Sequence, residues 1–357
     1  MVDARNTGPA ASPQPIKEIV LERLPFRDAV AQQPQALREA LVSLRRTLQT
    51  SDLAALRAGT IAIVGIGASF YAGLVAAAQF RRQGLRAFAF AGGELYDAAD
   101  NAADAYIAVS ASGRSVEPAK AAGLRDKAVT IGIAKTAESP LAAAVGTMIG
   151  TGSGIDSGPN TTSYLGSLLA LGLIADREGQ PSNTNWDALA DDFETLGTTI
   201  ADSVRKASAL LAGKRSIDCV GANAQLGTAG YAALLLREAV RVPAQNWDTL
   251  NYLHGPMEPN DANTGVILFG DGRERQLAED LSGFGIPTVL VTSASVDDRE
   301  NLVVIRIPAT KNGIVAAIYA ALPTQIMMQD LAEGVGLPKC EFRYRQTDTK
   351  LPLADHA

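Results

Sequence analysis

A strand followed by a helix of small residues occurs twice in this chain, and this repetition constrains the fold more than any other feature. In the first half, the apolar strand Thr60–Val64 precedes the helix Ser69–Phe80. From Arg215 the pattern starts again, with the strand Ser216–Val220 before the helix Gly227–Val240. Strands that alternate with helices are typical of a parallel sheet covered on both faces. The sequence therefore predicts an α/β chain in which one fold is duplicated.

The other apolar segments extend this plan. Further strands are predicted at Leu85–Phe90, Ala105–Val109, Ala128–Ala134, Gly265–Phe269, Thr288–Thr292 and Val303–Ile307. Further helices are predicted at Pro34–Leu48, Val116–Leu124, Thr162–Ala175 and Val315–Glu333. The 357 residues suit two domains of about 150 residues each. The expected boundaries are an N-terminal tail and helix at 1–42, a first domain at 43–178, a linker helix at 179–206, a second domain at 207–325, and a C-terminal helix and tail at 326–357.

Composition and charge argue against two classes of partner. The formal charge is −6, aromatic residues are only 5% of the chain, and no long run of Lys or Arg occurs. We therefore expect neither a nucleic acid nor a membrane as partner. Cys219 and Cys340 lie far apart, and Met1–Pro15 has no secretory pattern, which favours a cytoplasmic location.

The serine-rich segment Ser110–Ser115 is the most informative motif. It follows a predicted strand, opens a predicted helix, and places three hydroxyls within six residues beside Gly113. Hydroxyls, free N–H groups and the positive end of a helix dipole together bind phosphate. In an open parallel sheet, ligands also collect beyond the carboxyl ends of strands. The segment predicts a phosphate cradle, although a turn with a serine N-cap would explain it equally well.

A second glycine-containing turn leaves another interpretation open. Gly65 and Gly67 could be half of a dinucleotide-binding motif, but Phe70 stands where that motif needs Gly or Ala. Glu94 follows the second predicted strand, where an acid could hold a ribose. A nucleotide-dependent oxidoreductase therefore remains an alternative, and the glycines could equally serve a tight turn.

Two titratable residues in the second half are candidate catalysts. His254 precedes Gly-Pro on a predicted loop, and Glu238 lies near the end of a very apolar helix. Burial there could raise the pKa of the Glu238 carboxyl and make it a proton acceptor. A structural hydrogen bond for His254, or an ion pair of Glu238 with Arg237 or Arg241, would explain the same positions.

Three motifs in this order resemble the sugar isomerase (SIS) domain: Gly65 to Ser69, Ser110 to Ser115, and Ser139-Pro140-Leu141-Ala142. The whole arrangement is similar to the isomerase half of glucosamine-6-phosphate synthase, and to fructosamine-phosphate deglycases and sugar-phosphate deaminases. The resemblance implies two tandem SIS domains, each a parallel sheet with helices on both faces. It also implies a substrate-binding set formed by Gly67, Ala68, Ser69, Ser110, Ala111, Ser112, Ser115, Asn160 and Thr161.

The same resemblance implies roles for the two candidate catalysts. Glu238 matches the residue that moves a proton between sugar C1 and C2, and His254 matches the residue that helps to open the sugar ring. Their 16-residue separation fits the family pattern. Because the His-Gly-Pro loop of such families reaches the active site of a neighbouring subunit, a homodimer is expected.

Departures from the family pattern limit what the resemblance implies. Asn160-Thr161-Thr162 replaces a Ser-Thr-Lys motif, and no N-terminal glutaminase domain or nucleophilic Cys near Met1 is seen. The C-terminal segment, rich in Arg and Tyr, looks more like the deglycase branch. Whether Lys339 or Lys350 enters the site is left open.

Taken together, these residues predict an enzyme that acts on an amino- or amine-substituted hexose phosphate. No metal site and no cofactor are expected. The alternative is a phosphosugar-binding regulator that keeps the cradle and lacks catalysis.

Overall fold

The computed structural model describes residues 22–97, 99, 101–344 and 346–352, and it contains two parallel five-stranded sheets. The first sheet has the order β2-β1-β3-β4-β5 and the second has the order β10-β9-β8-β6-β7. Because β6 to β10 follow the order of β1 to β5, the two sheets have the same topology. Their strands are β1 Thr60–Gly65, β2 Arg86–Ala91, β3 Ala105–Val109, β4 Thr130–Ala134, β5 Thr147–Gly150, β6 Ile217–Gly221, β7 Ala244–Trp247, β8 Gly265–Phe269, β9 Thr288–Thr292 and β10 Leu302–Arg306.

Helices flank both sheets, and short 3-10 turns connect several elements of the first half. The α-helices are α1 Phe26–Ala31, α2 Gln33–Thr50, α3 Ala68–Arg82, α4 Val116–Gly123, α5 Thr162–Glu178, α6 Leu189–Thr199, α7 Ala201–Leu211, α8 Ala224–Leu235, α9 Thr249–Tyr252, α10 Arg273–Gly283 and α11 Gly313–Gly334. The α/β class with two parallel sheets is thus confirmed. The domain boundaries stay a prediction.

Two strands were not predicted, and both lie at a sheet edge. Strands β5 and β7 are each four residues long and only partly buried. Buried central strands such as β3, β4, β8 and β9 read as continuous apolar runs, whereas a half-exposed edge strand keeps polar residues. The short length and mixed polarity of β5 and β7 explain why the sequence pattern missed them.

The two sheets share one hydrophobic core, which runs from Phe26 to Cys340. Helix α3 from the first half packs closely on α8 from the second, because small residues leave room between the helices. A Cβ on Gly230 would lie 2.1 Å from a ring carbon of Tyr71. This tight contact fixes the position of α8 relative to the loops of the first sheet.

Helix α11 is long and apolar enough to cross a membrane by length and composition alone. Its most apolar window is 83% buried inside the protein, however, as expected for a core helix. Burial of this helix among the other described elements therefore accounts for its composition.

Candidate active site

A cleft opens at the carboxyl ends of the adjacent strands β1 and β3. Their neighbours β2 and β4 lie on opposite sides, so this is the point where an open parallel sheet characteristically binds ligands. The cleft has a volume of about 290 Å³. It brings together eight of the sequence-predicted residues: Gly67, Ala68, Ser69, Ala111, Ser112, Ser115, Asn160 and Glu238.

The serine loop between β3 and α4 forms one wall. Gly113 has a φ of +62° at the turn, and a Cβ there would lie 2.2 Å from Ser139 Oγ. Ser112 and Ser115 line the cleft, whereas Ser110 is buried behind them. The Ser115 N–H donates to Ser110 Oγ over 3.2 Å. Ser110 therefore stabilises the loop conformation, and the other two serines can contact a ligand.

The turn between β1 and α3 forms the facing wall. Gly67 has a φ of +56° at the N-cap of α3, and no side chain caps that helix. The N-terminus of α4, which follows Ser115, also lacks a side-chain cap, although the Val116 N–H donates to the Thr349 carbonyl over 3.3 Å. Two helix N-termini thus point their positive dipole ends toward one cleft, an arrangement that favours an anion such as phosphate.

Glu238 reaches the cleft from the second half of the chain. The predicted helix 227–240 is in fact α8 up to Leu235 and a π-helical turn over Leu236–Val240, which ends at Arg241 with a φ of +64°. Such π turns are frequent at functional sites. Burial raises the pKa of Glu238 to about 7, and the charge of Arg237 opposes this only in part.

Glu238 is not held in the ion pair that would have given it a purely structural role. Arg237 instead donates to the Ala244 carbonyl over 2.6 Å, and Arg241 donates to the Glu341 carbonyl over 3.1 Å. No salt bridge or hydrogen bond of the Glu238 carboxylate is found among the described residues. The carboxylate is therefore half-buried, unpaired and open to a ligand.

Asn160 and Thr161 have different surroundings despite being neighbours. Asn160 lines the cleft, and its carbonyl accepts a hydrogen bond from the Tyr231 hydroxyl over 2.8 Å. Thr161 is fully buried and donates to Asp156 over 2.8 Å. Asn160 can touch a ligand, whereas Thr161 holds the backbone of the loop.

His254 does not line the cleft of its own chain. It is exposed on the segment that follows α9, and Gly255 next to it has a φ of +127°. Glu94, the candidate ribose ligand, accepts from the Ala91 N–H over 2.6 Å within its own turn and also lies outside the cleft lining.

The cleft is also lined by three cationic residues that the sequence did not assign to it: Arg23, Arg114 and Lys350. Lys350 was an open candidate, and its amine donates to Ser115 Oγ over 2.9 Å. Lys339, the other candidate, is exposed elsewhere. The signal for Arg114 was its place inside the serine motif, but nothing in the local sequence of Arg23 or Lys350 marks a site. Ile66, Leu234 and Phe342 complete the lining.

No family model matches the chain. Its sequence is 24% identical over 249 residues to a glutamine–fructose-6-phosphate aminotransferase from Sulfolobus acidocaldarius, which covers 68% of this chain and 42% of that protein. The chain thus spans less than half the length of the curated relatives that it matches.

Solved structures share the fold at low sequence identity. The C-terminal domain of glucosamine–fructose-6-phosphate aminotransferase from Francisella tularensis superposes with a TM-score of 0.72 at 16% identity, covering 88% of this chain and 97% of that chain. Glucosamine-6-phosphate deaminase from Thermotoga maritima superposes with a TM-score of 0.70 at 19% identity, covering 90% and 98% of the two chains. The chain is therefore homologous to the isomerase part of glucosamine–fructose-6-phosphate aminotransferases and shares its fold with phosphosugar isomerases and deaminases.

Proposed function

We propose that this protein is a sugar-phosphate isomerase-type enzyme acting on an amino- or amine-substituted hexose phosphate. The observation that carries the proposal is Glu238, an unpaired carboxylate with a pKa of about 7 in the same cleft as the serine loop. A group with that pKa can both accept and return a proton near neutral pH. The relatives act, by their names, on fructose 6-phosphate or glucosamine 6-phosphate.

In this mechanism the phosphate binds between the N-terminal ends of α3 and α4. Ser112 and Ser115 donate to its oxygens, and the hydroxyl of Ser69, which is buried in the facing wall, completes the cradle. The Glu238 carboxylate removes the proton from one of the two reacting carbons of the open-chain sugar. The electron pair of the broken C–H bond becomes the C1–C2 double bond, and the π electrons of the C=O or C=N group move onto its heteroatom, giving an enediolate or enolamine. Glu238 then delivers the proton to the neighbouring carbon, and a proton passes from the hydroxyl or amine of the carbon first deprotonated to the other heteroatom, which completes the product.

The duplicated architecture is part of the same proposal. Each parallel sheet with its flanking helices constitutes one SIS domain, with boundaries near 43–178 and 207–325. The substrate cleft then belongs to the first domain, and the second supplies the base.

The exposed position of His254 supports a homodimer. No histidine among the described residues lines the cleft, and the exposed loop of one subunit can supply His254 to another as the acid for ring opening. Leu250 on the same segment is 61% exposed, and an apolar side chain there suits an interface.

The direct test of the function is a panel of phosphorylated amino sugars and glycated amines in deuterated water. Release of ammonia or amine, together with deuterium entry at C1 or C2, is expected for at least one member. Tight binding without release or exchange would instead support the phosphosugar-binding regulator.

Complementation tests the shared site. Glu238→Gln and His254→Asn should each be inactive as pure proteins. In an equimolar mixture, each mixed dimer of a two-fold assembly contains one site with both native residues, so about a quarter of the native activity should return. No recovery in mixtures shown to contain mixed dimers would place His254 outside the partner's site.

A further inference from the structure

Arg23, Arg114 and Lys350 form a group of unpaired cations in the cleft. None of the three lies within ion-pair distance of an acidic side chain in the part of the chain that the structure describes. Some other arginines of this acidic protein are neutralised, as in the pairs of Arg38 with Asp191 and of Arg45 with Asp187, whereas Arg237 and Arg241 donate only to backbone carbonyls. What distinguishes Arg23, Arg114 and Lys350 is that three cations without an acidic partner line one cleft.

Three distant segments bring these cations together. Arg114 projects from the serine loop, and its Nε donates to the Leu351 carbonyl over 2.8 Å, which directs the guanidinium toward the C-terminal segment. Lys350 lies beside it, above Ser115. Arg23 arrives from the N-terminal side, where its guanidinium packs against Gly158: a Cβ on that glycine would lie 2.1 Å from Arg23 Nη1.

The three side chains are close enough to repel one another. Burial lowers the pKa of the Lys350 amine, the charges of Arg114 and Arg23 lower it further, and only Glu117 opposes them. Like charges gathered without partners destabilise the folded protein unless a ligand neutralises them. The Glu238 carboxyl, with a pKa of about 7, supplies only part of a negative charge at neutral pH.

Phosphate alone does not account for this group. Hydroxyls and helix N-termini already provide the contacts that a phosphate needs in the cradle. The guanidinium of Arg23 has no hydrogen bond to the described residues, and that of Arg114 uses only its Nε. The remaining N–H donors of the two guanidinium groups are the groups that bind a carboxylate through two parallel hydrogen bonds.

We propose that the substrate carries a carboxylate in addition to its phosphate, and that Arg23 and Arg114 bind this second anionic group. This inference rests on the phosphate cradle of the proposed function. The carboxylate can belong either to the sugar chain itself or to an amino acid joined to the sugar through nitrogen, and both sources present the same chemistry to the arginines.

Two open-chain probes test the inference by calorimetry. Glucitol 6-phosphate and 6-phosphogluconate have the same carbon chain and differ at C1, where only the second carries a carboxylate. We expect 6-phosphogluconate to bind about tenfold more tightly or better, the scale of one charge-assisted contact. Arg23→Gln or Arg114→Gln should remove most of this preference, whereas Arg27→Gln, which removes a charge paired with Glu333, should keep it.

A second pair of probes identifies the source of the carboxylate. The fructosamine 6-phosphates formed from glycine and from ethanolamine differ mainly in a carboxylate against a hydroxymethyl group. If only the glycine compound gains from Arg23 and Arg114, the carboxylate is that of the amino acid; if only 6-phosphogluconate does, it belongs to the sugar.

Other outcomes overturn the inference in distinguishable ways. Equal affinity within both pairs of probes, with binding abolished by Ser112→Ala, would reject the carboxylate and retain the cradle. Absence of binding of every probe would reject the cradle and the inference with it. Thermal unfolding of each variant establishes that it is folded, and Arg23→Lys or Arg114→Lys, which keep the charge, should retain part of the preference.

Discussion

The serine loop after β3 and the loop over residues 270–274 after β8 occupy equivalent places in the two sheets. Both follow the central strand at the point where strand order reverses. The neighbouring turns also match, because Gly67 has a φ of +56° before α3 and Asn223 has a φ of +54° before α8. The backbone plan is thus the same in both halves, yet only the first loop opens into the cleft of the candidate site.

Side-chain charge distinguishes the two loops. Asp271 accepts hydrogen bonds from the Ser293 N–H and the Ser293 hydroxyl, both over 2.7 Å, and from the Thr292 hydroxyl. Glu274 is buried, and its carboxylate accepts from the Gly272 N–H over 3.1 Å. In the second loop, the carboxylates of Asp271 and Glu274 accept the available hydrogen bonds and would repel an anion. The first loop carries neutral hydroxyls in place of carboxylates, so it can bind an anion. The two sheets offer two equivalent loop positions, and their side chains distinguish the loop proposed to bind phosphate from the other.

The largest effect is expected at Glu238, because this residue is the proposed base in the cleft that the serine loop lines. Glu238→Gln keeps the shape of the side chain and removes the base, so turnover should fall by about 10² to 10⁴. The affinity for the sugar phosphate should change little. Steady-state kinetics and isotope exchange measure both, and native turnover in this variant would make Glu238 a structural residue.

The pH dependence of the native enzyme follows from the same group. The base must be deprotonated, so activity should rise with pH around a midpoint of about 7 and be lost below it. Since folding raises this pKa, the native protein should also lose stability relative to Glu238→Gln as the pH rises through the range from about 4.5 to 7. Parallel denaturant titrations at several pH values measure this difference.

The next largest effect is expected when the serine loop is given the carboxylate that the loop after β8 carries. Ala111 stands at the position of Asp271, two residues beyond the end of its strand. Ala111→Asp should weaken phosphate binding by about 10²-fold or more, because like charges placed together cost several kcal/mol. The side chain in Ala111→Asn has nearly the volume of aspartate and no charge, so this variant should bind phosphate almost as tightly as the native protein does. Equal losses in the two variants would point to steric exclusion instead.

A smaller effect is expected at Lys350. Lys350→Met removes a cation that donates to Ser115 at the cleft, and sugar-phosphate affinity should fall about tenfold. Lys339→Met removes the same charge at an exposed position outside the cleft and serves as the control. If both substitutions weaken binding equally, general charge and not position is responsible.

The smallest effect is expected at the loop over residues 270–274. Asp271→Asn should leave sugar-phosphate binding unchanged and lower the free energy of unfolding by about 1 kcal/mol. Burial alone would raise the pKa of Asp271, but hydrogen bonds from Thr292 and Ser293 lower it overall. The contribution of Asp271 to the free energy of unfolding is therefore complete above the ordinary carboxyl pKa and should disappear as the pH falls below about 4. A loss of substrate binding in this variant would contradict the division of roles between the loops.

Local sequence patterns were sufficient where one continuous segment carried the information. The central strands, the α/β class and the serine loop could all be predicted, because burial, glycine turns and clustered hydroxyls leave local signals. The edge strands β5 and β7 could not, since their half-exposed residues do not alternate or cluster in a distinctive way.

The composition of the cleft depended on contacts between distant segments. The sequence marked Ser110 and Ser112 alike, and only packing shows that the first is buried while the second lines the cleft. Glu238 was identified as a candidate base by its apolar helix and by resemblance. Its π turn and raised pKa arise from how α8 packs, which no short window of sequence contains.

The sequence by itself determined the duplicated strand and helix plan and the hydroxyl-rich loop, because both follow from hydrophobic periodicity and local turn chemistry. The tertiary structure alone decided that Arg23, Arg114 and Lys350 face the same cleft as that loop. Arg23 and Lys350 are separated by more than three hundred residues of chain. Charges at such a distance in sequence become neighbours only through the packing of the whole fold, and electrostatic interactions act through space rather than along the chain.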